Sequence, residues 1–153
     1  MKILGIRTAP TQLRYALITK ENDDLILLNA DSESLIKVPV SIEEYSDMIA
    51  WQKEEVDRII RQNSDIVKVV LKIAEYGRTD TKSNRLGSYF DAAVILATKS
   101  ANIPIESKLY SQLGTTRSKV KGHAESRVGR TTKYWNEQIA DGVIAAWSAR
   151  GEL

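Results

Sequence analysis

Cysteine is absent from the 153 residues, and histidine occurs once, at His123. The first absence excludes disulfide scaffolds, thiol nucleophiles and cysteine-based zinc sites. The second excludes any multi-histidine metal site within one chain. Three prolines and eight glycines leave no collagenous or low-complexity character. Apolar runs are short: Ala92 to Ala97, among the longest, falls far below the length that crosses a bilayer. The amino terminus, Met1-Lys2-Ile3-Leu4-Gly5, turns polar at Arg7 and lacks the apolar core of a signal peptide. A cytoplasmic protein with no membrane partner is therefore the expectation.

What is present is enough for a core. With 42% hydrophobic residues, residues 1–153 read as a single domain that closes without metal or disulfide help. The net charge of +2 hides an uneven spread. Six bases between Thr115 and Lys133 (Arg117, Lys119, Lys121, Arg127, Arg130, Lys133) face one acid, Glu125. That stretch is +5 and the remainder −3, an arrangement that invites a polyanionic partner. Gly114, Gly122 and Gly129 punctuate it, so it reads as a mobile arm rather than a helix face.

The chain opens on strands. Lys2 to Arg7 is a nearly continuous apolar run, as in a strand covered on both faces. After the turn Thr8-Ala9-Pro10-Thr11, Leu13, Tyr15 and Leu17 alternate with other residues; a polar turn at Glu21-Asn22-Asp23-Asp24 leads into Leu25 to Leu28. These three strands form an antiparallel meander. Residues 31–40 fit either a strand extension or a loop. Ser41, with Glu44 three residues on, suggests a capping box for a helix ending near Asn63, with Ile42, Tyr45, Ile49, Gln52, Val56 and Ile59 at helical spacing. Ile66 to Ile73 is a fourth strand, Ser83 to Ala101 a helix, and Ile105 to Lys108 a short fifth strand after Pro104. A last helix is predicted to begin at Thr131 or Thr132, with Trp135, Ile139, Val143 and Trp147 on its core face. The order, three strands then alternating helices and strands, is mixed α/β, with parallel crossovers to the fourth and fifth strands.

Three patches carry a resemblance. Met1 to Ile6 is similar to an I-L-G-I opening strand; Val69-Val70-Leu71-Lys72-Ile73-Ala74-Glu75 looks like a strand delivering a glutamate. Gln138-Ile139-Ala140-Asp141-Gly142-Val143-Ile144-Ala145 resembles a helix motif D-x-x-D-A-x-x-A. With the element order, they resemble the ribonuclease H-like superfamily in its Holliday-junction resolvase (RuvC-type) branch. A small bacterial domain family of unknown function is similar in length and layout. The resemblance implies a five-stranded mixed sheet, its first three strands antiparallel, flanked by helices.

The resemblance also implies a site in which carboxylates hold two Mg²⁺ ions for phosphodiester cleavage. Glu75 matches the family's strand glutamate and Asp141 its second helical aspartate. The first helical aspartate falls on Gln138, and the first-strand aspartate on Arg7. Arginine does not deprotonate and cannot be a ligand, so the resemblance implies a degenerate centre with no cofactor, in which Arg7 pairs with Glu75 and Asp141.

Three functions remain open. The first is a resolvase-like protein that binds nucleic acid, DNA foremost, through Arg117, Lys119, Lys121, Arg127, Arg130 and Lys133. The second is an active Mg²⁺-dependent endonuclease using Glu75, Asp141 and a further acid such as Asp80. The third is a non-catalytic interaction module, with pairing of two copies also open. His123 is more often a plain loop histidine than a base, and Trp51 and Trp147 read as packing. Tyr76, Tyr134 and Trp135 are the better stacking candidates, while Asp91 reads as an exposed boundary residue.

Overall fold

The computed structural model describes residues 1–153. Strands β1 (Lys2–Ala9), β2 (Gln12–Glu21) and β3 (Asp24–Leu27) form the expected meander, and a short β4 (Leu35–Lys37) resolves the ambiguous stretch. Helix α1 (Tyr45–Gln62), β5 (Ile66–Lys72), α2 (Lys82–Ser100) and β6 (Ile105–Lys108) follow. Then come α3 (Tyr110–Leu113), α4 (Val120–Arg127), α5 (Glu137–Ser148) and a 3₁₀ turn at Arg150–Glu152. The strand order is β3-β2-β1-β5-β6. β1 is antiparallel to β2 but parallel to β5, and β5 is parallel to β6. β2 is long enough to pair with β3 through Ile18–Glu21 and with β4 through Gln12–Arg14, so the sheet has six strands rather than five.

Alternation along the strands assigns each residue to a face. Ile3, Ala16, Ile18 and Val70 meet α4 and α5 through Val120, Ala124, Ala140, Val143 and Ile144. Leu4, Ile6, Leu13, Tyr15, Val69 and Leu71 meet α1 and α2 through Val56, Ile59, Val94 and Ala97. Gln52, the polar member of the α1 stripe, is fully buried with its amide unpartnered, and nothing in the structure explains it. The α5 backbone lies directly on β1: a Cβ on Gly5 would stand 1.9 Å from the Gly142 carbonyl oxygen. Only glycine admits that approach, which sets where the residues of α5 meet the end of β1.

Three expectations change. The first helix starts at Tyr45, with Glu44 as N-cap and no side-chain cap from Ser41, because Ile42 N–H bonds the Pro39 carbonyl in a turn just before it. The basic segment is not a mobile arm. Val120 and Ala124, four residues apart, bury one side of α4 against α5, which orders the segment as helix. The last helix begins at Glu137 rather than Thr131 or Thr132. Asn136 caps it by accepting from Ile139 N–H, Tyr134 has φ 58°, and Thr132 N–H is tied to the Ala30 carbonyl.

Candidate functional site

The carboxyl ends of the parallel strands β1 and β5 meet the first turns of α5 and the entry to α3. Arg7 lies near the end of β1 on the α5 face, by the same alternation that places Ile3 there. Its Nη1 donates to the Lys72 carbonyl at 3.1 Å, and its Nε stands 3.3 Å from Asp141 Oδ2. Asp141 is 2% exposed, so this is an interior ion pair and not a helix-surface one. Its other oxygen accepts from the Tyr110 phenol at 2.8 Å.

Glu75 does not pair with Arg7, contrary to the expectation. The reason is Lys72, the last residue of β5, which is 1% exposed and turned to the same face. Its Nζ donates to Glu75 Oε1 at 2.9 Å and to the Ile73 carbonyl, and lies 3.9 Å above the Tyr110 ring. Glu75 also accepts from the Tyr110 backbone N–H at 2.8 Å. Tyr110 thus joins the two carboxylates, one through its phenol and the other through its backbone.

Burial sets the electrostatics. It pushes the Asp141 carboxyl above its ordinary value, opposed by the Tyr110 hydrogen bond and by Arg7 and Lys72. It pulls the Lys72 ammonium down, opposed chiefly by Glu75. Burial would also raise Glu75, but hydrogen bonds from Lys72 and Tyr110 outweigh it and the carboxyl ends below its usual range. The Tyr110 phenol is raised by burial and by its bond to Asp141.

On β2, Arg14 stands directly opposite Arg7. It is 8% exposed, and its guanidinium donates to the Gln12 and Gln138 side-chain oxygens. Gln138 therefore holds an arginine where the family motif has an aspartate. On the other sheet face Thr8 donates to Asp91 of α2, whose carboxyl is raised by burial; Asp91 is half-buried rather than the unassigned boundary residue expected.

The residues present do not fit a two-metal centre. A divalent ion needs carboxylate oxygens that face a common point. Here Asp141 is engaged at one oxygen by Arg7 and at the other by the Tyr110 phenol, and Glu75 is held by the Lys72 ammonium. No three potential protein ligands converge. Asp80 supplies no third acid: it is 61% exposed and bound by Arg85.

The six basic side chains divide. Lys121 lines a groove of about 400 Å³ with Arg14, Trp135, Asn136, Glu137 and Gln138, at the start of α5. Arg117 holds Glu137 at 2.7 Å, and Lys119, Arg130 and Lys133 are exposed. Arg127 instead lies over the Trp147 ring, 4.2 Å away, near the far end of α5. Trp147 is half-buried between Arg127 and Arg150, and half-buried Trp135 donates to Glu125, so neither is a full core residue. Tyr76 and Tyr134 are exposed, and His123 bonds Thr115.

Sequence reasoning singled out Arg7, Glu75, Gln138 and Asp141 but missed Lys72, Tyr110 and Arg14 as partners. Arg14 stands between Leu13 and Tyr15 in the apolar part of β2, and Lys72 follows the apolar Val69-Val70-Leu71 at the end of β5, a signal that was available. Tyr110 lies in no motif.

No protein-family model and no curated protein matches the sequence. Solved structures do match. RuvC of Thermus thermophilus, in complex with a Holliday junction substrate, superposes with a TM-score of 0.78 at 16% identity, over 97% of this chain and 92% of that one. The yeast mitochondrial Holliday junction resolvase gives 0.61 at 11% identity, over 98% and 80%. The Fowlpox virus resolvase, in complex with its junction DNA, gives 0.54 at 13%, over 99% and 98%. Likeness along nearly the entire chain at such low identity is likeness of fold: the chain has the ribonuclease H-like fold in its RuvC-type form.

Proposed function

We propose that the protein is a resolvase-like nucleic-acid-binding protein, with DNA as its first candidate ligand, whose centre does not perform two-metal cleavage. One observation carries the second half of this reading: each of the two carboxylates already has a cationic partner, Arg7 on Asp141 and Lys72 on Glu75. Side-chain cations already neutralise the two carboxylates there, and they offer no bound water to activate. The first half is supported by the fold's likeness to resolvases solved with junction DNA, and by the exposed bases of the segment leading into α5, of which Lys121 lines the groove at its start. Lys119, Lys121, Arg130 and Lys133 would meet backbone phosphates, while Arg117 holds Glu137 and Arg127 holds Trp147.

The test is a titration against four-way-junction, duplex and single-stranded DNA, with Mg²⁺ and then with EDTA, the products run on a denaturing gel. Four phosphate contacts would cost about a hundredfold in affinity between roughly 50 and 200 mM salt. Salt-sensitive binding of DNA that stays intact is the expected result. Metal-dependent cutting would overturn the degenerate centre, and failure to bind any of the three DNAs would overturn the nucleic-acid reading.

A further inference from the structure

Arg14 is a buried cation without a counter-charge. Its side chain contacts only the neutral amides of Gln12 and Gln138, and its Nε has no partner at all. It forms no ion pair, although it is 8% exposed and faces Arg7 across the strand pair. Buried charges are ordinarily paired, and like charges directly opposite on paired strands repel. On this face of the sheet three cations (Arg7, Arg14, Lys72) meet two carboxylates (Asp141, Glu75), and Arg14 is the one left over.

Arg14 also lines the open groove of about 400 Å³ at the start of α5, with Lys121 on its wall. The groove's own acid, Glu137, is neutralised by Arg117. The N-terminal end of a twelve-residue helix adds a partial positive charge.

We propose that this groove is a metal-independent phosphate-binding pocket, with Arg14 as its floor, Lys121 as its wall and the Gln138 amide as a further donor. Arginine matches two phosphate oxygens at once, and the glutamine oxygens that now occupy its Nη groups belong to neutral side chains that swing aside at little cost. The phosphate's carrier, a nucleic-acid backbone, rests on the function proposed above; the pocket itself does not.

The test compares melting in inorganic phosphate and in chloride at equal ionic strength, for wild type, Arg14→Gln and Lys121→Gln. Phosphate about tenfold above its dissociation constant should raise the wild-type melting temperature by about 3–5 °C. Arg14→Gln should abolish the rise and Lys121→Gln should reduce it. An equal rise in wild type and Arg14→Gln, or no rise in wild type, overturns the pocket. If Arg14→Gln does not fold, exposed Lys121 carries the test, and an undiminished rise in Lys121→Gln overturns the proposal. The same proteins are titrated with a four-way junction, where loss of one phosphate contact lowers the salt slope by about 1 in Arg14→Gln. A phosphate response without junction binding supports the pocket with free phosphate as its ligand, and removes the nucleic-acid reading alone.

Discussion

Arginine at the position where the resemblance implies an aspartate decides what holds the neighbouring residues. Asp141 is buried and its counter-charge, Arg7, is 19% exposed, so the pair is screened little by solvent. Removing one member of such a pair leaves the other uncompensated. Asp141→Asn should therefore cost about 3 kcal/mol of stability in urea denaturation. Glu75 is about half exposed, and its lysine keeps the Ile73 carbonyl. Glu75→Gln should cost no more than about 1 kcal/mol, and a reversed ranking would contradict the geometry. The motif positions of Arg7, Glu75 and Asp141 were legible because strand and helix order carry them. The Arg7–Asp141 pair was legible with them; the partners of Glu75 were not, because they are Lys72 and the backbone of Tyr110, which is remote in sequence from both carboxylates.

Between elements, the crossing of α5 over β1 places Asp141 beside Arg7. Gly5 and Gly142 set that crossing, backbone against backbone. Gly5→Ala would force the helix outward, so a loss of roughly 3 kcal/mol is expected, together with loss of the Arg7–Asp141 pair. Thermal melting reads the first effect. The second shows in a double-mutant comparison, where Asp141→Asn should cost less on the Gly5→Ala background than alone. The meander, both crossover helices and β5 were readable from apolar runs, period-two alternation and helical spacing, since each buries an apolar face, while the short β6 was marked only by Pro104 before it. α4 was not, because it buries only Val120 and Ala124 while its surface is dominated by charge. The start of α5 was misplaced because residues 131–136 are pinned by tertiary bonds, to Ala30 among others, that no local pattern reveals.

At the scale of the whole molecule, both sheet faces are covered, and each traps a tyrosine. Burial raises the Tyr15 phenol on one face and the Tyr110 phenol on the other. A raised value means that the folded state keeps its proton while the unfolded chain ionises near pH 10, so stability is intact below that pH and is lost as pH climbs beyond it. In a spectrophotometric titration, two of the six tyrosines should ionise only as the protein unfolds. Six phenols titrating together near pH 10 in folded protein would contradict the burial. The same architecture leaves Lys121 at the groove that opens at the start of α5, next to a centre whose carboxylates already have cationic partners, and the function proposed above rests on that combination. The most direct measurement of that claim is a calorimetric titration of Mg²⁺ and Mn²⁺ into the protein free of nucleic acid, with melting followed in parallel. No saturable heat is expected, and the melting temperature should move by less than about 1 °C. Stoichiometric binding with stabilisation, abolished in Asp141→Asn, would contradict it.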